Sequence, residues 1–465
     1  MLQLATSGLN GIWRCLGKTS FPRSITPSQP SQPKESASLL EWSIRVDNFR
    51  RLASSCRSKN SFSYLRIAYL MTSETTASDI DQPLTSQHTS SFAEILEQFG
   101  ISIAVTTYQA GKLVLLRAND GTINTHFRSF SKPMGLAMDG SRLAIGTTVE
   151  IWEFHNAPGV ARRIANAVET RSESLPRPST EAPSKDGNNS RQHRLDACYL
   201  PRGSHTTGDI QIHEMTWVEN DLWFINTRFS CLCTRDVRYS FVPRWRPSFV
   251  TAIAPEDRCH LNGFCLAPTS RPGQPHFFVT ALGESDAPGG WRANKRNGGL
   301  LLETSSNEVL LRGLSMPHSP RLFADQLWVL ESGTGTIGRV DPSVGRYEPI
   351  ASMPGFTRGI DFFGRYAFIG LSQVRESAVF SGIPIAERPL SERACGVWVI
   401  DMPTGQTVAW LKFDQGVQEI FAINVMANSR CPDVINDDHE LIADSFILPD
   451  ESLSSVPDDL RVVAS

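Results

Sequence analysis

An apolar run, a tight polar turn and a second run rich in β-formers recur five times, and no other feature narrows the fold of this chain as much. The copies are "PMGLAMDGSRLAIGTT", "HEMTWVENDLWFINT", "LNGFCLAPTSRPGQPHFFVTAL", "SPRLFADQLWVLES" and "TRGIDFFGRYAFIGLS". Third and usually fourth runs follow each, as in "GTIGRVD" then "YEPIASM", and "CGVWVID" then "VAWLKF". Helical periodicity is nearly absent, so four strands per copy predict propeller blades. The chain ends supply a sixth. "VQEIFAINVM" is a first strand without partners, and "ISIAVTTY", "GKLVLLRAN" and "INTHFRSF" are three strands lacking a first. The prediction is an all-β, six-bladed β-propeller with one blade closed by both termini, which also covers sheet edges.

In such a ring the first strand of each blade lines the central channel. The first-to-second turns ("DGS", "END", "ADQ", "FGR") are short and bland, as hairpin reversals are. The opposite face collects the starts of the first strands: Lys132, His213 with Glu214, His260 with Asn262, His318 with Arg321, Arg358, and Gln418 with Glu419. It also receives two long loops, "GESDAPGGWRANKRNGG" and "SQVRESAVFSGIPIAERPLSERA", and long loops on a rigid scaffold are where function concentrates. His213, His260 and His318 are expected at one matching point of the repeat. They are the candidate catalytic residues and candidate metal ligands, since imidazoles and a carboxylate around one axis suit a divalent transition metal as well as polar recognition or plain hydrogen bonding. Lys132, Glu214, Asn262, Arg321, Arg358, Glu419 and Arg292 are the candidate ligand-binding residues. Arg228, Arg292, Arg321, Arg358 and Arg375 would suit a carboxylate or phosphate. Salt bridging to Glu214, Glu284, Glu376 or Glu419 is the equal alternative.

Charge is unevenly spread. Residues 1–70 carry ten Lys and Arg against three Asp and Glu, a surplus of seven, which leaves the remainder at −10. That remainder does not attract phosphate backbones over a broad face, so nucleic acid is not an expected partner. No apolar run reaches 18 residues, so no transmembrane helix and no membrane partner are expected. Nine cysteines without paired spacing read as reduced thiols and favour a cytoplasmic location.

Several motifs are tempting. "GTGTIG" (Gly333 to Gly338) matches a dinucleotide fingerprint, but another strand pair follows it where a helix is needed, so no nucleotide cofactor is expected. Cys231 with Cys233, and Cys259 and Cys265 near His260, lack a paired CxxC arrangement and read as small buried hydrophobes before they read as a zinc site. Neither a G-x-S-x-G elbow nor an H-E-x-x-H helix is present.

The domain organisation expected is a disordered or mis-called extension over 1–90, the propeller over 91–431 interrupted by a disordered insert over 165–208, and a C-terminal tail over 432–465. Met71 is a plausible start, an organellar leader being the alternative. The insert holds the Ser/Pro-rich "ETRSESLPRPSTEAPSKDGNNSRQHR", whose apolar content is too low to offset ordering entropy.

The runs "TYQAGKL", "IHEMTWVENDLWFINTRFSCL", "YSFVPRWRPSFVT", "PEDRCHLNG", "GESDAPGGWR", "GLSMPHSPRL" and "GVWVID" resemble those of an uncharacterised, mostly bacterial family, a domain of unknown function related in shape to YWTD-type propellers. The resemblance covers Ser91 to Cys431 and implies the propeller without an activity. The functional reading is a cytosolic propeller that binds a small polar or anionic ligand at one channel mouth and has room for catalysis there. The alternative is a non-catalytic protein-interaction scaffold.

Overall fold

The computed structural model describes residues 84–164, 195–268, 274–374, 380–457 and 461, all in a unit running from Ala77 to Ser465. Six small sheets form the six-bladed propeller read from the repeat. The inner strands of blades 1 to 5 are Leu136–Asp139, Ile212–Val218, Leu261–Leu266, Pro317–Phe323 and Phe356–Phe363. Each pairs antiparallel with the strand that follows it. Ala422–Met426 completes blade 6 against Ser102–Thr106, in the register Ile103↔Val425, with Lys112–Asn119 and Thr122–Ser129 outside. The six inner strands touch one another in a closed cycle.

The core is a ring of layers between blades. Ile151, Phe224 and Cys233 join blades 1 and 2; Leu232, Phe264 and Phe277 join 2 and 3; Phe278, Leu301 and Val340 join 3 and 4. Leu330, Ile369 and Trp398 follow between 4 and 5, and Leu113, Leu143 and Phe154 lie between 6 and 1. A helix, Ser90–Phe99, packs Phe92 and Leu96 into the remaining layer, between blades 5 and 6. Blades approach most closely where side chains are missing. A Cβ on Gly135 would lie 2.6 Å from the His213 carbonyl oxygen, and one on Gly263 2.7 Å from the Ser319 amide. Gly359 adds a φ of +75° to a gap of 2.8 Å from the Ile423 amide.

Both chain ends thicken the ring. Thr85–His88 adds a fifth strand to blade 5, and Pro432–Val434 pairs parallel with Ala197–Thr206 on blade 1. These strands fall within ranges expected to be extension, tail and insert. Ala197–Thr206 is a strand because Cys198, Tyr199 and Leu200 are all buried. Residues 165–194 of the insert, and the extension up to residue 83, lie outside the described residues. The "GTGTIG" stretch leads directly into the strand Thr336–Asp341, as expected of a tight connection. Among the described residues no helix is long and apolar enough to cross a membrane.

Two outcomes are expected. A chain ending before Val417 loses the buried Ile420, Phe421, Ile423 and Met426, each contributing about 1.5–3 kcal/mol; thermal unfolding followed by circular dichroism should lose its cooperative transition. Gly359→Ala must place a methyl group in a left-handed backbone against a neighbouring strand, and should cost about 1–3 kcal/mol in urea unfolding.

Candidate functional site

The inner strands do not run as regular pleats. In blade 2, Met215 pairs with Phe224 and Ile212 with Asn226, so that His213 and Glu214 together oppose Ile225. Similar irregularities occur at Asn262 in blade 3, at Ser319 and Pro320 in blade 4, and at Arg358 and Gly359 in blade 5. A bulge re-aims side chains, and here it lets two consecutive residues both act at the axis. The His213 ring packs edge-on against Phe421, centroids 4.8 Å apart, while Glu214 accepts from Arg321 Nη2 of blade 4 at 2.7 Å.

His213 and His318 occupy equivalent positions and are held alike. His213 Nδ1 lies 2.9 Å from the Gln211 carbonyl oxygen and 2.8 Å from Thr227 Oγ1. His318 Nδ1 lies 2.9 Å from the Met316 carbonyl oxygen and 3.0 Å from Ser332 Oγ. In both cases the carbonyl is two residues earlier, on a residue with positive φ, and the hydroxyl is fourteen residues later. A carbonyl can only accept, so Nδ1 carries the proton in both rings and Nε2 is the acceptor nitrogen. His213 Nε2 is buried and has no partner.

His260 is not at the matching point. It stands two residues earlier, at the positive-φ position (φ 50°), and Asn262 takes the place equivalent to His213 and His318. Asn262 is spent on structure, donating to the Pro317 carbonyl oxygen at 3.0 Å and accepting from Thr280 Oγ1 at 2.7 Å. His260 nevertheless reaches the same neighbourhood, its ring 5.0 Å from that of His213 and 4.4 Å from Trp291. Its Nδ1 bonds the Asp257 carboxylate at 2.9 and 3.0 Å. Asp257 also accepts from Trp291 Nε1 at 2.9 Å and from Arg292 Nη2 at 3.5 Å. A carboxylate fixing an imidazole in this way is an arrangement able to accept and return a proton. The three histidines do not assemble as metal ligands: among the described residues no group of three or more His, Cys, Asp or Glu is placed to hold a metal ion. The offset of His260 along its strand is one reason.

Arg358 is the buried cation of the mouth, 8% exposed, with its guanidinium 3.5 Å above the Phe421 ring and Nη1 3.3 Å from Glu419 Oε1. Burial pulls its pKa down to about 10, against the opposing charges of Glu419, Tyr108 and Glu214. Burial likewise pushes the Glu419 carboxyl up, Arg358 opposing. Deeper down, burial lowers and Glu214 raises the Arg321 pKa, and the balance lies above the ordinary value. Lys132 is exposed, its Nζ 5.9 Å from the Tyr108 ring. Arg292 and Arg228 lie at the rim, Arg228 paired to Asp209 at 2.9 Å. Arg375 and Glu376 lie outside the described residues, and Glu284 is taken by Arg312 at 3.0 Å. Clefts of about 500 and 580 Å³ lie on the opposite face, at the seams of blades 3 with 4 and 2 with 3. They gather no comparable set of convergent polar groups.

Sequence reasoning missed Asp257, Trp291, Tyr108 and Phe421. The D-x-x-H spacing of Asp257 and His260 was the one visible signal.

Burial and the Arg358 charge hold His213 and His318 well below the ordinary imidazole pKa. The unfolded rings take up protons as pH falls through about 6.5 while the folded rings stay neutral. Stability is therefore full above that pH and falls below it, by about 1.4 kcal/mol per pH unit for each ring. Melting temperature should drop between about pH 6.5 and 5, and less steeply in His318→Gln.

A family model described as a domain of unknown function (DUF4915) matches residues 90–435. Among the curated proteins nothing matches. Among solved structures, the chain is similar to one in a nidogen/laminin complex, at 9% identity and TM-score 0.42, covering 70% of this chain and 99% of that one. It is also similar to a protein of unknown function from Bacteroides caccae, at 7% identity and TM-score 0.41, covering 70% and 98%. A calcium-binding protein, regucalcin, from Agrobacterium tumefaciens is similar at 10% identity and TM-score 0.34, covering 60% and 73%. With the match spanning all six blades, the chain belongs to the DUF4915 family of β-propellers, a domain of unknown function.

Proposed function

We propose that this propeller binds a small polar or anionic ligand at the channel mouth formed by blades 2 to 6. The observation that carries the reading is the pairing of a buried, unpartnered acceptor, His213 Nε2, with a buried guanidinium, Arg358, both in contact with the one Phe421 ring. A buried polar atom without a partner costs about 1–3 kcal/mol, a cost that a bound molecule removes. Arg358 faces Glu419 at 3.3 Å through one nitrogen only, which leaves guanidinium donors for a ligand oxygen. Phe421 closes the floor, so such a contact forms with little competing water. Seven described cysteines are buried and free, and Cys231 and Cys233 Sγ share a hydrogen bond at 3.5 Å rather than a disulfide. These thiols suit a reducing compartment, and we place the protein in the cytosol.

Thermal-shift measurements with small carboxylates, propionate and succinate among them, test the reading. Wild-type protein should gain several degrees, and Arg358→Gln should lose that gain while keeping a cooperative transition. Equal shifts in both proteins would refute the role of Arg358, and no shift with any anion would refute the site.

A further inference from the structure

The hydrogen bonds of the two equivalent histidines say more about the ligand than its charge. Thr227 Oγ1 donates its own proton to the Leu261 carbonyl oxygen at 2.6 Å. Toward His213 it can therefore only accept, as the Gln211 carbonyl does. Two independent acceptors thus fix the proton on Nδ1. A second proton on Nε2 would make a cation within the field of Arg358 and away from water, which is unfavourable on both counts. His213 Nε2 is consequently a lone pair, and an anion's oxygen gains nothing from it. His318, 4% exposed, repeats the arrangement through Met316 and Ser332. The mouth therefore combines a cationic donor, Arg358, with a buried neutral acceptor, His213 Nε2, and the ligand that satisfies both must carry a negative oxygen and a hydroxyl proton.

We infer that the ligand is a small hydroxy acid, its carboxylate on Arg358 and its hydroxyl donating to His213 Nε2. This rests on the binding reading above. The pairing is selective because the same acid without its hydroxyl leaves Nε2 buried and unbonded, and a neutral alcohol leaves the guanidinium unmatched. A divalent metal would use the same lone pairs, but the three imidazoles are not placed as a ligand set.

Lactate and propionate, equal in charge and close in size, make the comparison. Calorimetric titration of the full chain should give an affinity roughly tenfold higher for lactate, the worth of one hydrogen bond to a buried acceptor. His213→Phe should remove the difference, lactate then binding that variant no more tightly than propionate does. Wild-type protein with ¹⁵N-labelled histidine gives a readout that does not depend on how the variant folds: lactate should shift the His213 Nε2 resonance and propionate should not. Equal affinities, or an advantage for lactate that survives in His213→Phe with an unmoved Nε2 signal, would overturn the inference and leave the anion site standing. Failure of both acids to bind would remove the site itself. Zinc chloride alone shifting both the Nε2 resonance and the melting temperature would assign the lone pairs to a metal and overturn the hydroxyl role.

Discussion

Everything in this molecule depends on one constraint: each four-stranded blade can bury its faces only against its two neighbours, so the sheets must close into a ring. The apolar residues accordingly form six layers between blades, from Phe224 and Ile151 to Leu143 and Leu113. The axis is left with little apolar work to do. Glu214 and Arg321 can sit there because ring closure is already secured elsewhere. Their own balance is finer. Removing one member of a buried ion pair costs about 3–5 kcal/mol, while replacing both members by apolar groups is often neutral. The Glu214–Arg321 pair therefore reads as an orienting device across the channel, tying blade 2 to blade 4, more than as a source of stability.

The bulges turn this scaffold into a site. A regular strand would send His213 and Glu214 to opposite faces. With two residues opposing Ile225, one neighbour serves the deep ion pair and the other the mouth. The positive-φ residues Gln211 and Met316 then turn their carbonyls onto the Nδ1 atoms. Backbone conformations of this kind are costly for residues other than glycine. Their repetition in two blades, each with a hydroxyl fourteen residues on, shows that the ring nitrogens are fixed by the architecture of the blade and not by chance contact.

This explains what was legible in the amino-acid sequence. The blades were, because alternating apolar runs and tight turns report burial directly, and the unpartnered "VQEIFAINVM" implied its pairing with "ISIAVTTY". Arg358 with Glu419 and Arg321 with Glu214 were visible as polar residues at strand starts, although not as these pairs. The offset of His260 was not legible. One extra residue in a strand leaves no mark in composition, and a histidine, although among the residues enriched at positive φ, adopts it too seldom to announce it at His260. Phe421 was hidden for the opposite reason: in a strand of apolar residues it reads as core, and only the ring brings it beneath Arg358 and beside His213.

Phe421 also decides how strongly the mouth can act. Its ring lies against the Arg358 guanidinium and packs edge-on with the His213 ring. An aromatic face attracts the Arg358 cation without supplying a hydrogen-bond acceptor. The arginine is thereby held in place without using its donors on the ring. Glu419 offers one oxygen at 3.3 Å and, with its carboxyl pushed up by burial, is itself a reluctant anion. Under the binding reading proposed above, an anion that arrives from outside would complement Arg358 more strongly than Glu419 does. One apolar side chain, contributed by the segment that closes the ring, thus contacts both the Arg358 guanidinium and the His213 ring.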